Sequence, residues 1–184
     1  SSYKGLAPSP FGNAVADVNN DGKADIVTAN SQVSSVSVML GDGLGAFVMV
    51  GQYGTGIGSN PRDIALVDIN GDGNVDIVAG GTYGGVSVLL GDGTGAFGPA
   101  EVYDVGSVHP WDIAMADVNG DGMVDIIATG NASDTVSLLL GDGTGAFGPA
   151  NVYGVGASGP TDIAVVDINN DGQADIVTTD YSSN

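Results

Sequence analysis

The residues best equipped for chemistry in this chain are aspartates, and they recur in a fixed pattern. Asp17-Val-Asn-Asn-Asp21-Gly-Lys-Ala-Asp25 returns as Asp68 to Asp76, Asp117 to Asp125 and Asp167 to Asp175, at steps of 51, 49 and 50 residues. Each nine-residue stretch carries side-chain oxygen at positions 1, 3, 5 and 9 and glycine at position 6. Alternate side chains on a tightly turning backbone point inward, which gathers positions 1, 3 and 5, and glycine permits the sharp turn at positive φ. Position 7 is Lys23, Asn74, Met123 or Gln173, a variety that suits a residue contributing only its backbone carbonyl. Position 9 then closes a cage of oxygens.

Such a cage calls for a hard cation, which takes about six to eight oxygen ligands from a short curling loop. Calcium suits it better than magnesium, which keeps its waters and demands a stricter octahedron. Zinc and copper are disfavoured because no histidine or cysteine accompanies the carboxylates. The expected ligands are Asp17, Asn19, Asp21, Lys23 and Asp25; Asp68, Asn70, Asp72, Asn74 and Asp76; Asp117, Asn119, Asp121, Met123 and Asp125; and Asp167, Asn169, Asp171, Gln173 and Asp175. About four Ca²⁺ ions are expected, one per loop. The loops differ from an EF-hand, which ends in glutamate at position 12, where this chain has Thr28, Ala79, Ala128 and Thr178. The competing reading is an Asx-turn hairpin in which Asp and Asn cap backbone amides without metal.

The other polar landmarks point less strongly to chemistry. Asp42, Asp92 and Asp142 sit in Gly-Asp-Gly turns, where a turn role is expected. Asp63, Asp112 and Asp162 follow a repeated proline by two residues, with Gly12 in that place in the first repeat, and are expected to cap backbone amides. His109-Pro110-Trp111 brings together the single histidine and the single tryptophan, an exposed loop or a stacking platform for sugar. Asn131-Ala-Ser133 is a glycosylation sequon. With one histidine, no cysteine, two lysines and one arginine, the chain lacks material for a nucleophile–base pair or an oxyanion clamp, so no enzyme activity is expected.

The elements that hold these loops follow from the repeat. In 184 residues there are 32 glycines, 7 prolines and a hydrophobic fraction of 42%, enough for a core. Prolines 10, 61, 110 and 160 precede the acidic loops by seven residues, and Tyr3, Tyr53, Tyr103 and Tyr153 precede the prolines. A second turn, Gly-Asp-Gly-x-Gly-Ala-Phe, occupies Gly41–Phe47, Gly91–Phe97 and Gly141–Phe147. Between these landmarks lie strand-sized runs such as Asp63–Val67, Val75–Ala79, Val86–Leu90 and Ala96–Tyr103, with no helix-length stripe. Four antiparallel strands per unit of about 50 residues make an all-β chain of β-propeller blades, about 3.5–4 repeats, with the calcium loop between the first and second strand of each. Residues 1–184 are read as one repeat domain, with repeats near 1–50, 51–100, 101–150 and a partial 151–184. Phe47, Phe97 and Phe147 are expected to pack between blades. Starting at Ser1 and ending inside the fourth repeat, the chain reads as a processed product or an excised piece, whose unpaired edges recruit other copies or further blades.

The unit Pro61-Arg-Asp-Ile-Ala-Leu-Val-Asp-Ile-Asn-Gly-Asp-Gly-Asn-Val-Asp-Ile-Val, followed by Val86-Ser-Val-Leu-Leu-Gly-Asp-Gly-Thr-Gly-Ala-Phe, resembles the FG-GAP/VCBS repeat family across essentially the whole chain. Integrin α-subunit propellers, some fungal lectins and bacterial surface proteins carry such repeats. The resemblance implies calcium in the loop joining the first two strands, held by positions 1, 3, 5, 7 and 9. Family propellers usually close with seven blades, about twice what this chain holds.

A formal charge of −19, with aspartate in all but one of the 22 acidic positions, disfavours nucleic acid and anionic lipid as partners. No apolar run is long enough to insert in a membrane as a helix. The expected function is therefore a non-enzymatic, calcium-binding extracellular module, secreted or on a cell surface, for adhesion or recognition of glycan or protein. Its first alternative is a self-assembling structural subunit of a fibre or ring, completed by strand pairing between copies. The second is an accessory propeller of a polysaccharide-active enzyme.

Overall fold

Glycine-rich turns cut the apolar runs into strands, and the computed structural model shows fourteen of them among residues 10–58, 60–83, 85–106, 109–156 and 158–181, the residues it describes. Tyr3 and the strand expected around it lie outside these residues. The first sheet contains β1 (Pro10–Ala16), β2 (Asp25–Asn30), β3 (Ser35–Gly41) and β4 (Phe47–Gly54). The second contains β5 (Pro61–Val67), β6 (Asp76–Gly81), β7 (Gly85–Leu89) and β8 (Glu101–Tyr103). The third contains β9 (Pro110–Ala116), β10 (Asp125–Gly130), β11 (Thr135–Leu139) and β12 (Asn151–Gly154), and β13 (Pro160–Val166) with β14 (Asp175–Asp180) make the fourth. Strands pair in chain order and always antiparallel, so each sheet is a meander.

The sheets stack in sequence, with β1 against β5, β5 against β9 and β9 against β13. The blade-like sheets and the repeat length are as expected, but the array is open: among the described residues the fourth sheet does not pack back on the first. The middle strands β6 and β10 are buried along their whole length, because a neighbouring sheet covers each face. Each junction has its own core. Val18, Val27 and Val38 of the first sheet meet Ile64, Ile77 and Leu89 of the second. Ile69, Val78 and Val88 then meet Ile113, Ile126 and Leu139 of the third. Phe97 and Phe147 do pack between sheets, each edge-on to the tyrosine of the preceding repeat. Tyr53 and Phe97 have centroids 5.5 Å apart, and Tyr103 and Phe147 5.4 Å.

Two details of the strands differ from the sequence reading. The run Ala96–Tyr103 was expected to be a single strand, yet β8 begins only at Glu101. Gly98-Pro99 intervenes, and proline has no amide to give to a ladder. The corresponding Gly148-Pro149 shortens β12, whereas Val48-Met49 lets β4 run for eight residues, with a bulge at Val50.

Gly41, Gly91 and Gly141 lie at or just past the end of the third strand in the first three sheets, and a methyl group there would overlap the carbonyl oxygen of Ala24, Val75 or Val124. Gly91→Ala should destabilise the chain by about 1–3 kcal/mol. Gly54→Ala, where nothing lies within 4 Å of an added methyl, should change stability by less than about 0.5 kcal/mol. Urea titration of both variants measures the contrast.

Candidate functional site

The first strand of each sheet delivers the chain to the acidic loop, and the second carries it away, so all four loops hang from the same end of the stack. The loops are built alike. Position 1 holds two amides at once. Asp17 Oδ1 accepts from Asp21 N at 3.1 Å and Oδ2 from Gly22 N at 2.7 Å. The same pair of bonds forms at Asp68 (3.2 and 2.9 Å), Asp117 (3.2 and 2.8 Å) and Asp167 (3.2 and 2.8 Å). The position-3 amide oxygen also accepts from the position-5 amide, at 3.2 Å for Asn19 and 2.8 Å for Asn169. Position 5 accepts from the amide of position 7, as Asp72 does from Asn74 at 2.8 Å.

Position 9 behaves differently. Asp25, Asp76 and Asp125 are fully buried. One oxygen accepts the amide of position 2, at 2.9 Å from Val18, 2.9 Å from Ile69 and 3.0 Å from Val118. The other accepts the amide of the glycine ending the third strand, at 2.8 Å from Gly41, 2.8 Å from Gly91 and 2.9 Å from Gly141. In the fourth loop Asp175 keeps the first bond, to Ile168 at 3.0 Å.

Electrostatics follow this division. Hydrogen bonds that favour the charged form lower the pKa of the loop carboxyls: from the Lys23 ammonium at Asp21, from the Asn74 amide at Asp72 and from the Gly122 amide at Asp117. Burial raises that of Asp76, against the pull of its two amide partners, with Asp72 and Asp68 adding repulsion.

All twenty expected ligands therefore lie in the four loops, and the carboxylates bind backbone amides in the manner of Asx turns. Among the described residues no three histidine, aspartate or glutamate side chains are gathered into a group able to hold a metal ion. The donor set itself, three carboxylates and an amide oxygen per loop, has the hard-oxygen chemistry that calcium takes. Position 4, to which the sequence reading gave no role, is constrained. Asn20, Gly71, Gly120 and Asn170 have φ of 58°, 71°, 77° and 60°, and only Asn or Gly occupies the place, which was the available signal. The first loop also differs, because Lys23 Nζ lies 3.1 Å from Asp21 Oδ2. Asn20 Nδ2 reaches Asn74 Oδ1 at 3.2 Å, so neighbouring loops touch.

The secondary candidates take the roles expected of them, with additions. Asp42, Asp92 and Asp142 are turn residues: Asp42 accepts from Leu44 and Ala46, and Asp92 and Asp142 from the following threonine. Asp63 and Asp112 cap amides, but those of the next repeat: Asp63 holds Ile113 N at 3.2 Å and Asp112 holds Ile163 N at 2.8 Å. The carboxyls of Asp63 and Asp162 also act on Asp112, so the three aspartates make a ladder across three sheets. On the same end of the stack, Arg62 lies 4.1 Å from the Trp111 ring centroid and 5.0 Å from that of Phe11. One face of the indole is thus already covered by a guanidinium. His109 instead meets Tyr83 edge-on, at 5.1 Å.

The Asp112 ladder sets a pH dependence. Burial, then the carboxyls of Asp162 and Asp63, push Asp112 up to about 8. The folded chain thus keeps a proton that the unfolded chain loses near pH 4, and this contribution to stability declines as pH rises from about 4 to about 8. Asp112→Asn keeps donor and acceptor without titrating. Relative to the parent chain, its Tm should be similar at pH 4 and higher by a few degrees at pH 8, as measured by calorimetry.

With the loops, sheets and ladder in place, the chain can be set beside known proteins. No curated protein matches it. The model of the FG-GAP-like repeat matches residues 17–79, 68–128 and 117–178, each match running from one acidic loop through the next and so repeating at the spacing of the sheets. The chain belongs to the FG-GAP-like repeat family.

Proposed function

We propose that the chain is a non-enzymatic, calcium-stabilised extracellular module that presents one end of its sheet stack for recognition of a glycan or a protein. The observation that carries this reading is the fourfold reproduction of one acidic loop, with the same Asx hydrogen bonds, at one end of the stack. Each loop brings a carboxylate at positions 1, 5 and 9, an amide oxygen at 3 and a carbonyl at 7. The oxygens at positions 1, 3 and 5 lie in the exposed part of the loop, where an ion could enter. Calcium would draw these oxygens together and relieve the repulsion among them, taking the formal charge from −19 to −11 with four ions.

The opposite end supports the recognition part of the reading. There the repeats diverge: Phe11, Arg62, Trp111 and Thr161 follow the four prolines, and His109 and Tyr83 lie nearby. Repeat-invariant chemistry at one end and repeat-specific chemistry at the other suit a scaffold that is pinned below and read above. Millimolar extracellular calcium suits loops of modest affinity, with Kd of about 10⁻⁴–10⁻³ M.

Calcium at one hundred times its Kd should raise stability by about 2.7 kcal/mol per independent site, and chelator should remove the gain. Thermal unfolding in calcium and in chelator measures it, and equal Tm values in the two buffers would falsify the calcium reading. Isothermal titration should show the first loop to be the weakest, because the Lys23 ammonium competes for Asp21. Lys23→Gln should strengthen that site several-fold and leave the other three unchanged.

A further inference from the structure

The proline end of the stack holds a cation that the chain's own acids do not take. Of the three basic residues, Lys23 pairs with Asp21 at the loop end, Lys4 lies outside the described residues, and Arg62 stands near the start of β5. In a chain of formal charge −19, no carboxylate among the described residues forms an ion pair with the Arg62 guanidinium, and none of those residues accepts a hydrogen bond from it. The adjacent Asp63 carboxylate is turned to the next sheet, where it holds the Ile113 amide at 3.2 Å.

The guanidinium is nevertheless held in place. Its central carbon lies 4.1 Å from the Trp111 ring centroid and 5.0 Å from that of Phe11, so one ring from each flanking sheet rests against it. Ring contacts of this kind leave the N–H donors unspent. Arg62 lines a cavity of about 200 Å³ between the first and second sheets, together with Phe11, Asn60 and Thr82. The Asn60 carboxamide and the Thr82 hydroxyl also lack hydrogen-bond partners among the described residues, although Thr82 is only 8% exposed. Three polar side chains without partners thus converge on one small cavity.

A planar fork of N–H donors matches a carboxylate, which takes two of them at once. A carboxamide and a hydroxyl both donate and accept, as the hydroxyls of a sugar require. Phe11, 59% exposed, adds an aromatic surface for the C–H groups of a pyranose. The cavity is smaller than the roughly 300–1,000 Å³ of sites for drug-sized molecules, and suits one sugar unit. We propose that it binds a single uronic acid residue of a glycan, with the carboxylate on Arg62 and the hydroxyls on Asn60 and Thr82. This rests on the recognition reading and names its ligand class. Because the chain as a whole repels polyanions, the target is a glycan in which acidic sugars are sparse.

Nuclear magnetic resonance tests it directly, since one arginine and one tryptophan give one side-chain Nε–H signal each. The ¹⁵N-labelled chain, in calcium, is titrated with sodium glucuronate, its uncharged methyl ester, glucose, sodium acetate and a short peptide with a free C-terminal carboxylate. Glucuronate should move the Arg62 signal saturably, and the other four probes should bind at least tenfold more weakly. Arg62→Gln should weaken glucuronate at least tenfold, and Arg62→Lys, which keeps the charge and loses the fork, should weaken it less, both with the parent's backbone spectrum. An Arg62 signal that glucuronate leaves unmoved, acetate or peptide binding as tightly as glucuronate, or an Arg62→Gln chain that binds like the parent would each overturn the proposal. The parent titration stands even where a variant fails to fold. Glucose that shifts other signals while Arg62 stays still would sink this inference and leave the recognition reading intact.

Discussion

The structure depends on a carboxylate that is buried in order to hold backbone. At Asp25, Asp76 and Asp125 one side chain ties the start of the acidic loop to the end of the third strand, bonding two amides that lie 22 or 23 residues apart in the chain. A buried charge is tolerable when its oxygens are fully hydrogen-bonded, and a buried amide is tolerable on the same condition. Loop, second strand and third strand therefore form one unit in each of the first three repeats. The glycine at the third strand's end follows from this constraint, since only a residue without a side chain can bring its amide so close to the loop.

Much of this was legible from residue types and spacing. The repeat, the strands, the turn role of Asp42 and its counterparts, and the packing of Phe97 and Phe147 between sheets all followed from periodic landmarks. What the sequence hid were relations across repeats. Asp63 and Asp112 were readable as amide caps, but nothing local says that the amide belongs to a residue fifty positions on. Position 9 of the loop was read only as a metal ligand, because its second partner, the glycine of the third strand, is remote in sequence. The left-handed position 4 was visible in principle, since it contains only Asn or Gly.

The two ends of the stack obey different rules. At the loop end the chain repeats itself nearly residue for residue, since backbone amides held by aspartate leave little freedom. At the proline end the side chains vary, because the strands there need only a bulge and a turn, and the register shifts after Pro10, Pro61 and Pro160 absorb the difference. Arg62 uses that freedom, lying over two aromatic rings from neighbouring sheets and joining three repeats through one cation.

The long fourth strand of the first sheet has a consequence of its own. Gly-Pro truncates the outermost strands of the second and third sheets, and a rim that short offers few free backbone groups to a foreign chain. Val48-Met49 does not cut the strand short, so β4 exposes an eight-residue margin with apolar side chains along it, interrupted by a bulge at Val50. If the molecule is partly unfolded or crowded, that margin offers more backbone to cross-β growth than the short β8 or β12 does.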